Sequence, residues 1–161
     1  ILCFTAQRIS DTMNFTSKNI REEKGKQILE FTQVKTSKIM AIPVLPLVAD
    51  VLNKRNGEFP TKISDQKLNV HIKEVCKLAN ISNRVKGSKI NKLSNRKEEG
   101  IFPKWKLITS HIGRRSFATN YYGKIPTALL IAMTGHSSEG QFLEYIGKSR
   151  TESALELAKY F

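Results

Sequence analysis

The chain has 161 residues, 40% hydrophobic and 25% charged, which is one domain's worth of sequence with material for a real core. Lys and Arg number 27 against 14 Asp and Glu, a formal net charge of +13 that favours a polyanionic partner, either nucleic acid or an anionic membrane surface. No apolar run reaches membrane-span length, no basic amphipathic helix carries bulky apolar anchors, the amino terminus lacks the plan of a signal peptide, and Cys3 and Cys76 have no metal-ligand spacing. These features speak against membrane and secreted classes and leave nucleic acid in a reduced, cytoplasmic setting as the expectation.

In chain order, residues 8–15 read as a short helix carrying Arg8 and Asp11. The β-branched and aromatic run over 27–34 reads as a strand, Lys35-Thr36-Ser37-Lys38 as a turn, and 39–42 as the return strand before Pro43. A helix follows over 45–53, ended by Asn56-Gly57 and Pro60. Ser64 can cap a helix running to about Asn80, on which Leu68, Ile72, Val75 and Ala79 share one face and are expected to be buried. His71 on that helix is expected to be structural. Residues 81–106 carry Arg84, Lys86, Lys89, Lys92, Arg96, Lys97, Lys104 and Lys106 against only Glu98 and Glu99. They form either a basic hairpin or loop laid on phosphates, or a solvated connection. Repeats and low-complexity stretches are absent.

Thr109-Ser110 is a good cap for a helix from His111 to about Tyr122, punctuated by Gly123 and Pro126. Pro126 can open the next helix, which ends near Gly135, and Tyr145 falls on or just after a short helix starting near Ser138. Residues 151–161 have a mixed amphipathic pattern suited to packing on their own core or on a neighbouring subunit. Positions three and four apart on a helix share a face, so His111 projects beside Arg114 and Arg115. A guanidinium fork suits a phosphate, an imidazole moves protons near neutral pH, and a tyrosine hydroxyl can form a covalent intermediate. Together these are parts for metal-free phosphoryl transfer. Two-metal chemistry needs converging carboxylates, and the acids here are scattered.

His111-x-x-Arg114, then Gly135-His136, then Tyr145 resembles the C-terminal half of the tyrosine recombinase (phage integrase) catalytic domain. Thr5-Ala-Gln-Arg8-Ile-Ser-Asp11 resembles that family's first arginine box. Lys35-Thr-Ser-Lys38, ending in Ile42-Pro43, resembles the hairpin of its catalytic lysine. The boxes stand in the family's order across residues 5–145. The resemblance implies an α+β, mainly α fold, a helical catalytic domain with a small antiparallel sheet, filling residues 1–161. It also implies a fragment, since relatives place a further helix and usually an N-terminal DNA-binding domain before the first arginine.

The roles that follow are those the resemblance implies. Tyr145 is the nucleophile, whereas Tyr122 lies roughly 12 Å along the helix from Arg114 and reads as packing. Arg8 and Arg114 clamp the non-bridging oxygens, with Arg114 chosen over Arg115 only by the family's spacing. Lys35 is the general acid, favoured over Lys38 by its distance to Pro43. His111 accepts the tyrosine proton or binds the phosphate, and His136 supports a non-bridging oxygen. Arg84, Lys86, Lys89, Lys92 and Arg115 are the candidate DNA-binding residues. No cofactor or metal is called for. The expected partner is double-stranded DNA, engaged as a homotetramer in synapsis by a protein monomeric when free, in a bacterial mobile element. Rival readings are a type IB topoisomerase-like enzyme and a non-catalytic DNA-binding regulator.

Overall fold

In the computed structural model, which describes residues 1–91 and 93–161, the chain divides into two compact units. The first comprises residues 1–61 and 113–161, and the second residues 62–112.

The first unit opens with two single-turn helices, α1 (Leu2–Thr5) and α2 (Ile9–Thr12). A three-stranded antiparallel sheet follows, in the order β1 (Ile20–Glu23), β2 (Lys26–Thr32), β3 (Ile39–Pro43). Alternation sets its buried face: Leu29 pairs with Ile42 and Phe31 with Met40, all four side chains inward. Phe15 stacks edge-on against Phe31 and Phe59 at 4.8 and 5.5 Å, and Val48 and Leu52 of α3 (Pro46–Asn53) complete this layer. Pro46 sits in the first turn of α3, where its missing N–H costs nothing.

A second apolar layer joins α6 (His111–Tyr121), α7 (Thr127–Thr134) and α8 (Glu139–Ile146) through Phe117, Ala118, Leu130 and Phe142, with Ala6 from the N-terminal segment. Ser138 caps α8 by accepting the Gln141 amide at 3.2 Å. The helix α9 (Arg150–Leu157) starts with a reciprocal capping box between Ser149 and Glu152. Lys148 pairs with Glu156 and donates to the Tyr122 hydroxyl at 2.6 Å, so Tyr122 is engaged in packing.

The second unit contains α4 (Asp65–Leu78), a hairpin of β4 (Arg84–Ile90) and β5 (Lys97–Pro103), and α5 (Lys104–Leu107). Ser64 caps α4 through the Lys67 amide, as the sequence suggests. The face of α4 differs from the expected one. Leu68, Asn69, Ile72, Lys73 and Cys76 are half-buried, whereas Val75 is 61% exposed and Ala79 is exposed. The helix is turned so that Asn69 Oδ1 accepts the amide of buried Ser110 at 2.8 Å. The basic 81–106 stretch takes the hairpin form. A Cβ at Gly87 would stand 2.5 Å from Leu107 Cδ1, so glycine permits the close approach of β4 to α5.

Candidate active site

The site is assembled within the first unit from four segments. Between α1 and α2, Thr5, Ala6 and Gln7 are almost wholly buried, with Ala6 left-handed at φ 56°, and Arg8 follows as the half-buried N-cap residue of α2. From α6, Arg114 reaches inward and is only 3% exposed. Its Nη1 donates to the Ala6 carbonyl at 3.2 Å and its Nη2 approaches His136 Nε2 at 3.3 Å. One side chain thus ties the Arg8 segment to the histidine after α7.

The protonation of His136 follows from its neighbours. Thr134 has one hydroxyl proton, and the Leu130 carbonyl at 2.7 Å, an acceptor only, claims it. The Thr134 oxygen therefore accepts from His136 Nδ1 at 2.8 Å. Nε2 is left with its lone pair toward the Arg114 fork. Burial, then the charges of Arg114, Arg8 and Lys38, lower the His136 pKa to about 4, in keeping with a neutral ring. Burial and the Arg8 charge lower Arg114 to about 10, partly offset by Tyr145 and Asp11, so it stays cationic at neutral pH. Gly135, at φ 73°, ends α7 and lets the chain turn into His136, and a Cβ there would meet Gln33 Nε2 at 2.7 Å.

Tyr145 lies near the end of α8, its ring 4.9 Å from that of His136. The guanidinium carbons of Arg114 and Arg115 lie 5.7 and 5.8 Å from the ring centroid. Its hydroxyl is buried near Arg114 without a hydrogen bond of ordinary geometry. Among the described residues, the buried side-chain polar atoms left unpaired are Tyr145 Oη, Arg8 Nη1 and Asp11 Oδ2. All three belong to this cluster, and two of them are donors able to meet an anion.

The lysine turn comes fourth. Lys38 is half-buried and its Nζ donates to Ser137 Oγ at 3.2 Å and to the Gly135 carbonyl at 3.4 Å. Lys35 stands exposed on the same turn. The structure therefore gathers Arg8, Arg114, His136 and Tyr145, brings Lys38 to them, and leaves Lys35 at the surface. Asp11 Oδ1 accepts the Val34 amide at 2.7 Å, joining the first arginine box to this turn.

Two buried amides, Gln7 and Gln33, also belong to the site and are not singled out by sequence motifs. Gln33 had a signal, since it continues the inward series Leu29, Phe31 along the strand direction. Thr134 had none beyond its place before Gly135-His136.

His111 is exposed and opens α6, grouping with the second unit. There Arg84 and Lys86 share the exposed face of β4, while Lys89 lies on the other face, 5.6 Å over the Phe102 ring. Lys92 lies outside the described residues. Arg115 is exposed beside Tyr145. Among the described residues no three His, Cys, Asp or Glu side chains cluster as metal ligands, and no helix is long and apolar enough to cross a membrane.

No protein-family model and no curated protein matches the sequence. Solved structures do match the fold. A XerH site-specific recombinase bound to palindromic difH substrate in a post-cleavage complex aligns with a TM-score of 0.64 at 16% identity, covering 99% of this chain and 43% of that one. The XerA recombinase aligns at 0.64 and 13% identity, covering 99% and 55%. A lambda integrase dimer bound to a COC′ core site aligns at 0.63 and 18% identity, covering 92% and 50%. The chain thus has the fold of the tyrosine recombinase catalytic domain, mainly α with a small antiparallel sheet, and spans about half the length of these structures.

Proposed function

We propose that this chain is the catalytic part of a site-specific DNA recombinase that cuts and rejoins strands through a 3′-phosphotyrosyl intermediate, without a metal. The observation that carries this reading is the set of unpaired buried polar atoms, Arg8 Nη1 and Tyr145 Oη, around the Arg114–His136 pair. Tyr145, Arg8 and Arg114, related in the sequence only by spacing, fall in one cluster.

In this reading the Tyr145 oxygen attacks the scissile phosphorus, its proton passing to a base, a role assigned to His111 by resemblance. Negative charge grows on the non-bridging oxygens, and Arg8 and Arg114 oppose it with donors already desolvated and oriented. His136, neutral with Nε2 unprotonated, holds the Arg114 fork through that lone pair. The P–O5′ bond breaks, and the departing O5′ takes a proton from a lysine of the 35–38 turn, Lys35 by resemblance with Lys38 as the competitor in place. A 5′ hydroxyl from a partner strand then attacks phosphorus and returns the tyrosine, so no cofactor is consumed. Guanidinium groups meet the charge that a metal would otherwise neutralise, so activity is expected to persist in chelator. Double-stranded DNA is the partner, with four protomers in synapsis, in the cytoplasm of a bacterium bearing a mobile element.

Nicked duplexes of randomised sequence supply the test, since a nick lets the short leaving strand diffuse away and traps the covalent adduct. The protein should form an adduct that Tyr145→Phe abolishes. Adducts that survive in Tyr145→Phe would overturn the Tyr145 assignment, and none with the unmodified protein that still binds the pool would favour the non-catalytic regulator. Rejoining between two duplexes separates recombination from topoisomerase-like relaxation.

A further inference from the structure

The lysine turn is joined to the rest of the site by side chains whose polarity is forced. Gln7 is 1% exposed and spends both N–H groups of its amide on carbonyls, Thr5 at 3.0 Å and Met133 at 2.6 Å. A carbonyl only accepts, so Gln7 Oε1 must face the other way, where Gln33 Nε2 donates to it at 3.0 Å. Gln33, also 1% exposed, must then present Oε1 to the turn, and the Thr36 hydroxyl donates to it at 2.6 Å. The Gln33 backbone closes the same turn, its N–H donating to the Lys38 carbonyl at 2.8 Å and its carbonyl accepting from Ser37 at 2.9 Å. One strut therefore runs from the residue before Arg8 and the carbonyl of Met133, two residues before Gly135, to Thr36, the neighbour of Lys35. Neither amide can flip without setting N–H against N–H or oxygen against oxygen.

We infer that Gln7, Gln33 and Thr36 are positioning residues that set the lysine turn against the Arg8 and His136 segments, and so govern protonation of the leaving oxygen. This rests on the reading that a lysine of this turn is the general acid. Acids are sensitive to placement, because a proton moves only within hydrogen-bond reach of its acceptor. Loss of the Thr36–Gln33 bond frees the turn tip while leaving the arginines and tyrosine where they are. Thr36 is exposed, so Thr36→Val changes little else.

A leaving-group substitution isolates the step. When sulfur replaces O5′ in a duplex recovered from the randomised pool, the P–S bond breaks and a thiolate departs unprotonated, since a thiol pKa is only about 8.5. Thr36→Val should cut the oxygen duplex about tenfold to a hundredfold more slowly and the sulfur duplex at nearly the unmodified protein's rate, whereas Gln33→Leu, which also strips Gln7 Oε1 of its donor, should slow both but the oxygen duplex more. Thr36→Ser should restore the oxygen rate. Equal slowing of Thr36→Val on both duplexes, or no slowing on either, would overturn the strut's role. Lys35→Ala and Lys38→Ala are run beside them. If neither is rescued by sulfur, the acid assignment fails; if one is rescued and Thr36→Val is not, the strut alone fails.

Discussion

The two units use the same residue types to opposite ends. In residues 1–61 and 113–161, Arg114 is 3% exposed with the Arg8 charge close by, while Arg8 keeps a buried N–H unpaired. In residues 62–112, Arg84 and Lys86 stand on an open strand face, and among the described residues only Ile108 and Ser110 are buried. A desolvated cation costs energy to hold, and that cost is tolerable where the charge acts on a transition state at close range. An exposed cation costs almost nothing, and its field is screened within about 8 Å at physiological salt. In the proposed reading the buried charges therefore serve chemistry and the displayed ones affinity.

That contrast breaks most visibly at the arginines. Arg114→Ala or Arg8→Ala should lower adduct formation on a nicked duplex about 10²- to 10³-fold, while filter binding keeps most of its salt-sensitive affinity. Parallel loss of both would mean these arginines bind rather than catalyse. Next in size is Thr134→Val, which leaves the Nδ1 proton of His136 unsatisfied and should cost about 1–3 kcal/mol of stability in a denaturant titration. Nitrogen NMR of the ring should show the proton leaving Nδ1, with Thr134→Ser restoring it; an unchanged tautomer would contradict the Thr134 assignment.

The pH response is smaller. The folded His136 binds its proton only near pH 4, whereas the unfolded ring binds it near 6.5. Between these values the unfolded state holds more protons, so stability contributed here is present above about pH 6.5 and lost as pH falls toward 4. Melting temperatures should fall over that window, and less steeply in His136→Gln. The smallest effect belongs to the second unit. Lys86→Ala should lower the slope of log affinity against log salt by about 0.9 with cleavage at saturating DNA unchanged, and Lys89→Ala, whose ammonium lies over Phe102, should do less.

Much of this arrangement was legible because it is local. Ser64, Pro126 with Gly135, and Ser138 punctuate helices through the chemistry of their own backbone neighbourhood, and α4, α7 and α8 begin and end where those residues stand. The alternation of Leu29 and Phe31 announced β2. By contrast β1, Ile-Arg-Glu-Glu, has no strand signature and forms because β2 offers a pairing edge on which Arg21 meets Glu30 at 2.8 Å. The facing of α4 follows the apolar stripe only in its first half, with Leu68 and Ile72 half-buried and Val75 and Ala79 exposed, and Asn69 turns inward to Ser110. Arg8, Arg114, His136 and Tyr145 were legible as a set through motif spacing. Gln7 and Thr134 were not, because a buried amide or hydroxyl takes its meaning from a distant partner, and Gln33 showed only its inward place after Leu29 and Phe31.

The central claim is that Tyr145 is the oxygen that takes the phosphate. Mass spectrometry of the trapped protein after nuclease digestion tests it most directly. A nucleotide remnant is expected on the peptide containing Tyr145; a remnant on Tyr121, Tyr122, Tyr160 or any serine would contradict that assignment.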